Sequence, residues 1–245
     1  VSTEIKLSER IGHIRSRASS FRMKFSLKPG LYAVGTPGSS SDIFVTANYR
    51  LSFDHLRKAL KGMDAWILVL YTNGINVWCA AGKGTFGTDE LIKRIKLTGI
   101  EKCVEHKRLI LPQLGAPGVN SGEVRKSTGF RISYGPVRAE DIMQYLENGY
   151  KADEKMRLVR FNIIDRGVLI PIEITMIKEK LFYFILASLL YSALQPEGII
   201  FSEAMTTGSP LIIAGVLAIL AGAVLTPLLL PFIPFRSFSI KGLIA

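Results

Sequence analysis

Cysteine and histidine are both scarce in this chain: its 245 residues include two cysteines, Cys79 and Cys103, and three histidines. Two cysteines cannot build a disulfide framework, and neither stands in a Cys-x-x-Cys or Cys/His spacing. That excludes a zinc site or an iron–sulfur cluster held by this chain alone, and it fits a reducing cytoplasm. Acidic residues are also few, 20 against 31 Lys and Arg, for a net charge of +11. After residue 180 charge of either sign nearly disappears, leaving only Glu197, Glu203, Arg236 and Lys241. Those four cancel, so the whole excess belongs to the first 180 residues. Such a field favours an anionic partner: nucleic acid, anionic lipid, an acidic protein or a phosphate-bearing cofactor. The amino end lacks a continuous apolar run and does not read as a signal peptide. Residues 1–28 carry seven basic and two acidic residues, with Ile5, Ile11, Ile14, Phe21 and Phe25 spaced as one loose apolar face. This pattern favours a basic surface helix and arm, packed on the domain or lying near anionic lipid, over a nucleic-acid-binding element.

What is present falls into three parts: an arm and linker over 1–41, an α/β domain over 42–176, and an apolar tail over 177–245. A Pro/Gly/Ser-rich region at 28–41 separates arm from core. Strands are expected at 43–47, 65–71, 108–113 and 130–134, with further strands at 157–164 and 168–174. Helices are expected at 52–61, with Ser52 as N-cap and Asp54 in its first turn, and at 89–97, 123–128 and 139–148, the last closed by Gly149. Apolar strands alternating with helices predict a doubly wound, mostly parallel, Rossmann-like sheet. The tail contains an uncharged run over 210–235, more than the roughly 20 residues a spanning helix needs. A shorter run over 181–194 makes a second span, and 239–245 reads as the start of a third, so the native protein is expected to continue. The loop at 195–209 has no Lys or Arg, whereas Lys178, Lys180, Arg236 and Lys241 flank the spans. Positive charge inside then places the first domain in the cytoplasm and that loop outside.

The stretch 73–88, NGINVWCAAGKGTFGT, connects a strand to a helix, where open α/β sheets bind their ligands. Cys79 stands at its centre beside Trp78, and Ala80, Ala81 and Gly82 leave little bulk around the sulfur. Gly82, Gly84 and Gly87 match the GxGxxG of nicotinamide-dependent oxidoreductases, but they come too far after the strand, and the following acidic residue is missing. A nucleophilic cysteine would need a base, and His13, His55 and His106 fall in the arm, a helix and a polar loop. A basic membrane-anchored binding module without a cofactor is the remaining non-enzymatic alternative.

The octet NVWCAAGK at 76–83 resembles the cap-helix motif of the membrane-bound corrinoid protein of the microbial mercury-methylation pair. VTANYRLSFD at 45–54 and the order of soluble domain then apolar tail are similar to that family too. A more distant likeness runs to the corrinoid-binding domain of the corrinoid iron–sulfur protein of acetyl-CoA synthesis. The Asp-x-His-x-x-Gly motif of other cobalamin methyltransferases is absent.

The resemblance implies a corrinoid-dependent methyltransferase that turns Hg(II) into methylmercury. Its cofactor is a cobalamin-type corrinoid whose cobalt takes the Cys79 thiolate as lower axial ligand. By the same resemblance Asn76, Val77, Trp78, Ala80 and Ala81 frame the cap, and Thr46 and Ser52 meet the lower face of the corrin. Gln113, Leu114, Gly115, Ala116 and Gly118, with Gly135 and Pro136, are expected near the cofactor's nucleotide tail. A thiolate is a soft, strong donor, and placed opposite a methyl group it favours departure with carbanion character toward a soft cation. The implied partners are a ferredoxin-like protein with two 4Fe–4S clusters, a methyl source linked to methyltetrahydrofolate, and membrane lipid, with no nucleic acid.

Overall fold

The computed structural model describes residues 1–196 and 198–244. By internal contacts the chain divides into two units, Val1–Ser16 with Phe21–Val159, and Arg17–Ser20 with Arg160–Ala245.

In the first unit, strands β1 (Gly30–Val34), β2 (Ile43–Ala47), β3 (Ala65–Leu70), β4 (Arg108–Leu111) and β5 (Arg131–Tyr134) form one sheet in the order β1-β3-β2-β4-β5. The last four run parallel, and β1 joins β3 antiparallel at the edge. The unit also holds α1 (Leu7–Ala18, whose last two residues group with the second unit), α2 (Arg50–Ala59), α3 (Val77–Gly82), α4 (Thr88–Thr98), α5 (Ser121–Thr128), α6 (Ile142–Glu147) and α7 (Glu154–Arg157). Side chains alternate across a strand, so each face needs its own cover. On one face Ile43, Val45, Ala47, Leu68 and Leu70 pack against Val77, Ala80, Leu91, Ile95 and Val124 from α3, α4 and α5. On the other, Phe44, Ile67, Val69 and Ile110 pack against Phe53, Leu56, Ile142 and Tyr145 from α2 and α6. Cover on both sides is why β3 reads as an unbroken apolar run and β2 is apolar but for the buried Thr46. The crossovers leave β2 in opposite directions, so the β2/β4 boundary is a topological switch point. Ligands of such sheets sit beyond the carboxyl ends of the strands at that boundary.

Several local expectations change. The 28–41 region is more than a separator, because it contains β1. Flanking Pro29, Gly35, Pro37 and Gly38 hide a short strand that is mostly half-buried. Helix α2 starts at Arg50 with Tyr49 as an N-cap that makes no side-chain bond. Ser52 therefore lies within its first turn instead of capping it, and Asp54 falls in the second turn, fully buried. Neither 157–164 nor 168–174 is a strand. Asn162 caps α8 (Ile163–Gly167) by accepting from the Asp165 amide at 2.9 Å, and Pro171 sits in the first turn of α9 (Ile170–Ala193). Short apolar pieces broken by charges fit either state, and cap and proline decide for helix.

In the second unit α9 is followed by a two-residue strand pair, β6 (Leu194–Gln195) and β7 (Gly198–Ile199), then α10 (Phe201–Leu220), a π turn (Ala221–Leu225), α11 (Thr226–Leu229) and α12 (Phe238–Ile244). The expected loop over 195–209 is thus shorter, since α10 begins at Phe201. Glu197 in that loop and Ala245 at the end of the expected third segment lie outside the described residues. Ala204–Leu229 is the one helix among the described residues long and apolar enough to cross a membrane. Its inner proline leaves the Thr206 carbonyl without the usual amide, and Ser209 Oγ donates to it at 3.4 Å. Gly215 admits the Phe184 ring from α9, for a Cβ there would lie 2.2 Å from it.

Candidate functional site

Past β3 the chain reverses in a tight turn. Asn73 and Gly74 both take left-handed angles, φ 56° and 70°, and the Ile75 amide donates to the Thr72 carbonyl at 3.1 Å. Two side chains from elsewhere hold this turn. Glu90 Oε1 on α4 accepts from the Tyr71 amide at 2.8 Å. Asn48, buried just beyond β2, accepts on Oδ1 from the Thr72 amide at 2.9 Å, the Thr72 hydroxyl at 2.9 Å and the Gly74 amide at 3.0 Å. Its amide group donates back to the Leu27 carbonyl at 3.3 Å. Sequence reasoning passed over Asn48 and Glu90. An amide side chain directly after the strand IFVTA was the available signal for Asn48, and Glu90 carried none.

The turn delivers Asn76 to the start of α3, where its Oδ1 accepts from the Cys79 amide at 2.9 Å. That cap fixes Cys79 in the first turn with its side chain exposed. Trp78, next to it in α3, and Tyr71, just past the end of β3, are also exposed, at 58% and 52%. Val77, Ala80 and Ala81 turn the other way, into the core. The two alanines therefore do not open space around the sulfur; they let α3 settle onto the 3-10 turn Gln113–Gly118. Gly118 is needed for that approach, because a Cβ there would stand 2.1 Å from the Phe86 carbonyl and 3.2 Å from the Ala81 backbone. Gly115 likewise makes room for the Phe86 ring, while Gln113, Leu114 and Ala116 are half-buried in the same turn. Gly135 and Pro136 join it: the Gly135 amide donates to the Leu111 carbonyl at 2.8 Å, and the Gln113 amide to the Pro136 carbonyl at 3.5 Å. Behind the turn, burial raises the Tyr134 hydroxyl pKa, and that hydroxyl donates to the Val119 carbonyl at 3.3 Å.

Residues 76–81, 113–118 and 135–136 thus share the carboxyl edge of the sheet. Thr46 and Ser52 are not brought to them. Thr46 is buried in β2 and by alternation faces α2, where Ser52 lies, whereas α3 covers the opposite face. Gly82, Gly84 and Gly87 link α3 to α4 instead of following β3 directly, so they do not form a dinucleotide fingerprint. His13 is engaged with Asp54 at 2.8 Å, His55 stacks on His13, and His106 bonds the Ser41 carbonyl at 2.9 Å. Cys103 is half-buried against the core. Among the described residues no group of three His, Cys, Asp or Glu could hold a metal ion. A metal at Cys79 would therefore take one soft protein ligand and bring the rest of its coordination with it.

A family model described as the CO dehydrogenase/acetyl-CoA synthase delta subunit matches residues 21–146, about half of the chain and all five strands of the sheet. Similar relatives are acetyl-CoA decarbonylase/synthase complex subunits gamma. That of Archaeoglobus fulgidus is 30% identical over 54% of this chain and 28% of its own length. That of Methanopyrus kandleri is 31% identical over 49% and 26%, and that of Methanothermobacter thermautotrophicus 35% identical over 50% and 27%. The match spans about a quarter of the length of these relatives. With its parallel sheet and the segment carrying Cys79 inside the matched region, the chain belongs to the CO dehydrogenase/acetyl-CoA synthase delta subunit family.

Proposed function

We propose that Cys79 is the lower axial ligand to the cobalt of a cobalamin-type corrinoid, and that the chain passes a methyl group to inorganic Hg(II), giving methylmercury. The observation that carries this reading is an exposed thiol, held by a capped helix at the carboxyl edge of a mostly parallel sheet. The corrinoid, when bound, supplies a cobalt-held methyl group and the four ring nitrogens that the protein does not. The chain's own residues do the rest. Asn76 fixes the thiol's direction, Asn48 and Glu90 hold the turn that carries it, and Trp78 and Tyr71 offer apolar cover against water. Residues 113–118 and 135–136, at the same carboxyl edge of the sheet, are proposed to receive the nucleotide tail. Thr46 and Ser52, set across the sheet, support α2 more readily than a ring on the α3 side.

Departure of the methyl group as a carbanion equivalent would leave the cofactor two electrons short of the state that accepts another methyl, and two cysteines cannot hold a cluster to supply those electrons. A ferredoxin-like protein with two 4Fe–4S clusters is the proposed donor, drawn by the +11 charge, with methyltetrahydrofolate-linked metabolism as methyl source. Anchoring in the cytoplasmic membrane, with the α/β unit on the cytoplasmic side, rests on the 26-residue apolar helix and on the cations at its carboxyl end. There Arg166 donates to the Pro227 carbonyl at 3.3 Å and Lys241 to the Leu230 carbonyl at 3.0 Å. The relatives' names favour a second reading, in which the methyl acceptor is an acetyl-CoA-forming complex.

The test uses the full chain, produced anaerobically and loaded with cobalamin, beside Cys79→Ala. Expected are a visible spectrum that shifts on loss of the sulfur and methylmercury formation that falls to background. An unchanged spectrum and unchanged transfer in Cys79→Ala overturns the reading. Sulfur-dependent binding with transfer only to an acetyl-CoA-forming complex selects the second one.

A further inference from the structure

Helix α1 is packed with its polar face inward. At about 100° per residue, Glu9, Gly12, His13 and Ser16 share one side of the helix, and Leu7, Ile11, Ile14 and Ala18 share the other. The polar side is the one that docks. Ser16 is buried, Glu9 pairs with Arg50 at 2.5 Å and Arg57 at 2.7 Å, and His13 meets the buried Asp54 at 2.8 Å. Leu7, Ile11 and Ile14 are left 74%, 58% and 69% exposed, an apolar stripe two turns long. Scattered exposed apolar residues need no explanation, but a stripe in helical register on the outward face of a docked helix does.

The residues beside the stripe say what covers it. On the same wheel Arg10 and Arg17 flank it on one side and Arg15 on the other, with Lys6 at the amino end. Both acidic residues of the arm lie off the stripe: Glu9 is turned inward into its ion pairs, and Glu4 precedes the helix. Apolar in the middle, cationic on both margins and uncharged by acid is the pattern of a helix lying in the plane of an anionic bilayer. A protein partner with acidic margins would match the charge but not the flat, open-ended stripe.

We propose that α1 is a membrane-surface helix that seats Leu7, Ile11 and Ile14 in an anionic bilayer, giving the α/β unit a second lipid contact independent of the apolar helix at 204–229. The polar network with α2 makes this possible, because it holds α1 on the protein without using its apolar face.

The full chain is reconstituted into vesicles of phosphatidylglycerol and phosphatidylcholine carrying brominated acyl chains, with Ile11→Trp as reporter and the parent chain, with Trp66 and Trp78, as background. An indole about 5–10 Å below the headgroups is strongly quenched by bromine. Expected is added quenching for Ile11→Trp, much less for Ser8→Trp, about 60° from Ile11 and about 90° from the middle of the stripe on the wheel, and a return to background when Leu7→Asp and Ile14→Asp are added. Quenching is also expected to weaken in vesicles of phosphatidylcholine alone, and as salt rises. Quenching of Ile11→Trp no greater than background in anionic vesicles overturns the proposal. So does lipid-independent burial of that indole that tracks protein concentration, which would assign the stripe to a second copy.

Discussion

Helices α1 and α3 both lie on the α/β unit, and they bury opposite kinds of surface. Helix α3 turns Val77, Ala80 and Ala81 to an apolar sheet face and leaves a thiol and a tryptophan outside. Helix α1 turns Glu9, His13 and Ser16 to the outer side of α2, where Arg50, Asp54 and Arg57 wait, and leaves its aliphatic residues outside. What a helix buries is set by the surface that receives it. Apolar burial stabilises α3 roughly in proportion to area. The α1 interface instead removes charges from water, a cost offset only because Asp54 meets His13, Arg50 and Arg57 together.

The contrast is open to attack at four points. Asp54→Ala leaves Arg57 buried without its closest carboxylate, and a loss of about 3–5 kcal/mol is expected. Hydrogen exchange should show α1 freed while α3 stays protected; joint loss would break the comparison. Asn48→Ala removes the acceptor for two buried amides and one hydroxyl, with an expected cost of about 2 kcal/mol. Faster exchange should then be confined to the 71–76 turn and α3. Asn76→Ala deletes the cap alone, for about 1 kcal/mol in thermal unfolding, and should leave α1 untouched.

The smallest effect is one of pH. Burial pushes the Glu9 carboxyl up, but hydrogen bonds from Arg57 and the Lys6 amide and the charges of Arg57 and Arg50 outweigh it, so its pKa is lowered from 4.5. The unfolded chain then binds the proton more readily. Stability from this residue is full above 4.5 and lost as pH falls from there through the folded value. Acid titration of unfolding should show the loss, and Glu9→Gln should remove that pH dependence. A Glu9→Gln chain with the same acid profile would move the effect to another carboxylate.

How much was legible in the residues follows from the same physics. Strands 43–47, 65–70 and 131–134 and helices α4 and α5 were readable because burial on both faces, or on one stripe, writes its period into the chain. So was the placement of Cys79 at a strand-to-helix connection. The edge strand β1 was not, since half-buried residues between prolines and glycines carry a weak signal. Residues 157–174 misled because their apolar pieces, broken by charges, are too short to show a period. The direction of α1 was hidden as well. Its apolar face was visible in Ile11 and Ile14, and ordinary reasoning would turn that face inward.

By itself the sequence determined that this chain has a charged α/β part and an uncharged helical part, and that its exceptional thiol sits in NVWCAAGK. Those properties are local: composition, period and a contiguous motif. Only the tertiary structure decided that Asn48 holds the turn before Cys79, that Gly118 must lack a Cβ, and that α1 docks through its charges. Each of these depends on residues far apart in the chain meeting at atomic distance, and one sequence carries no measure of that distance.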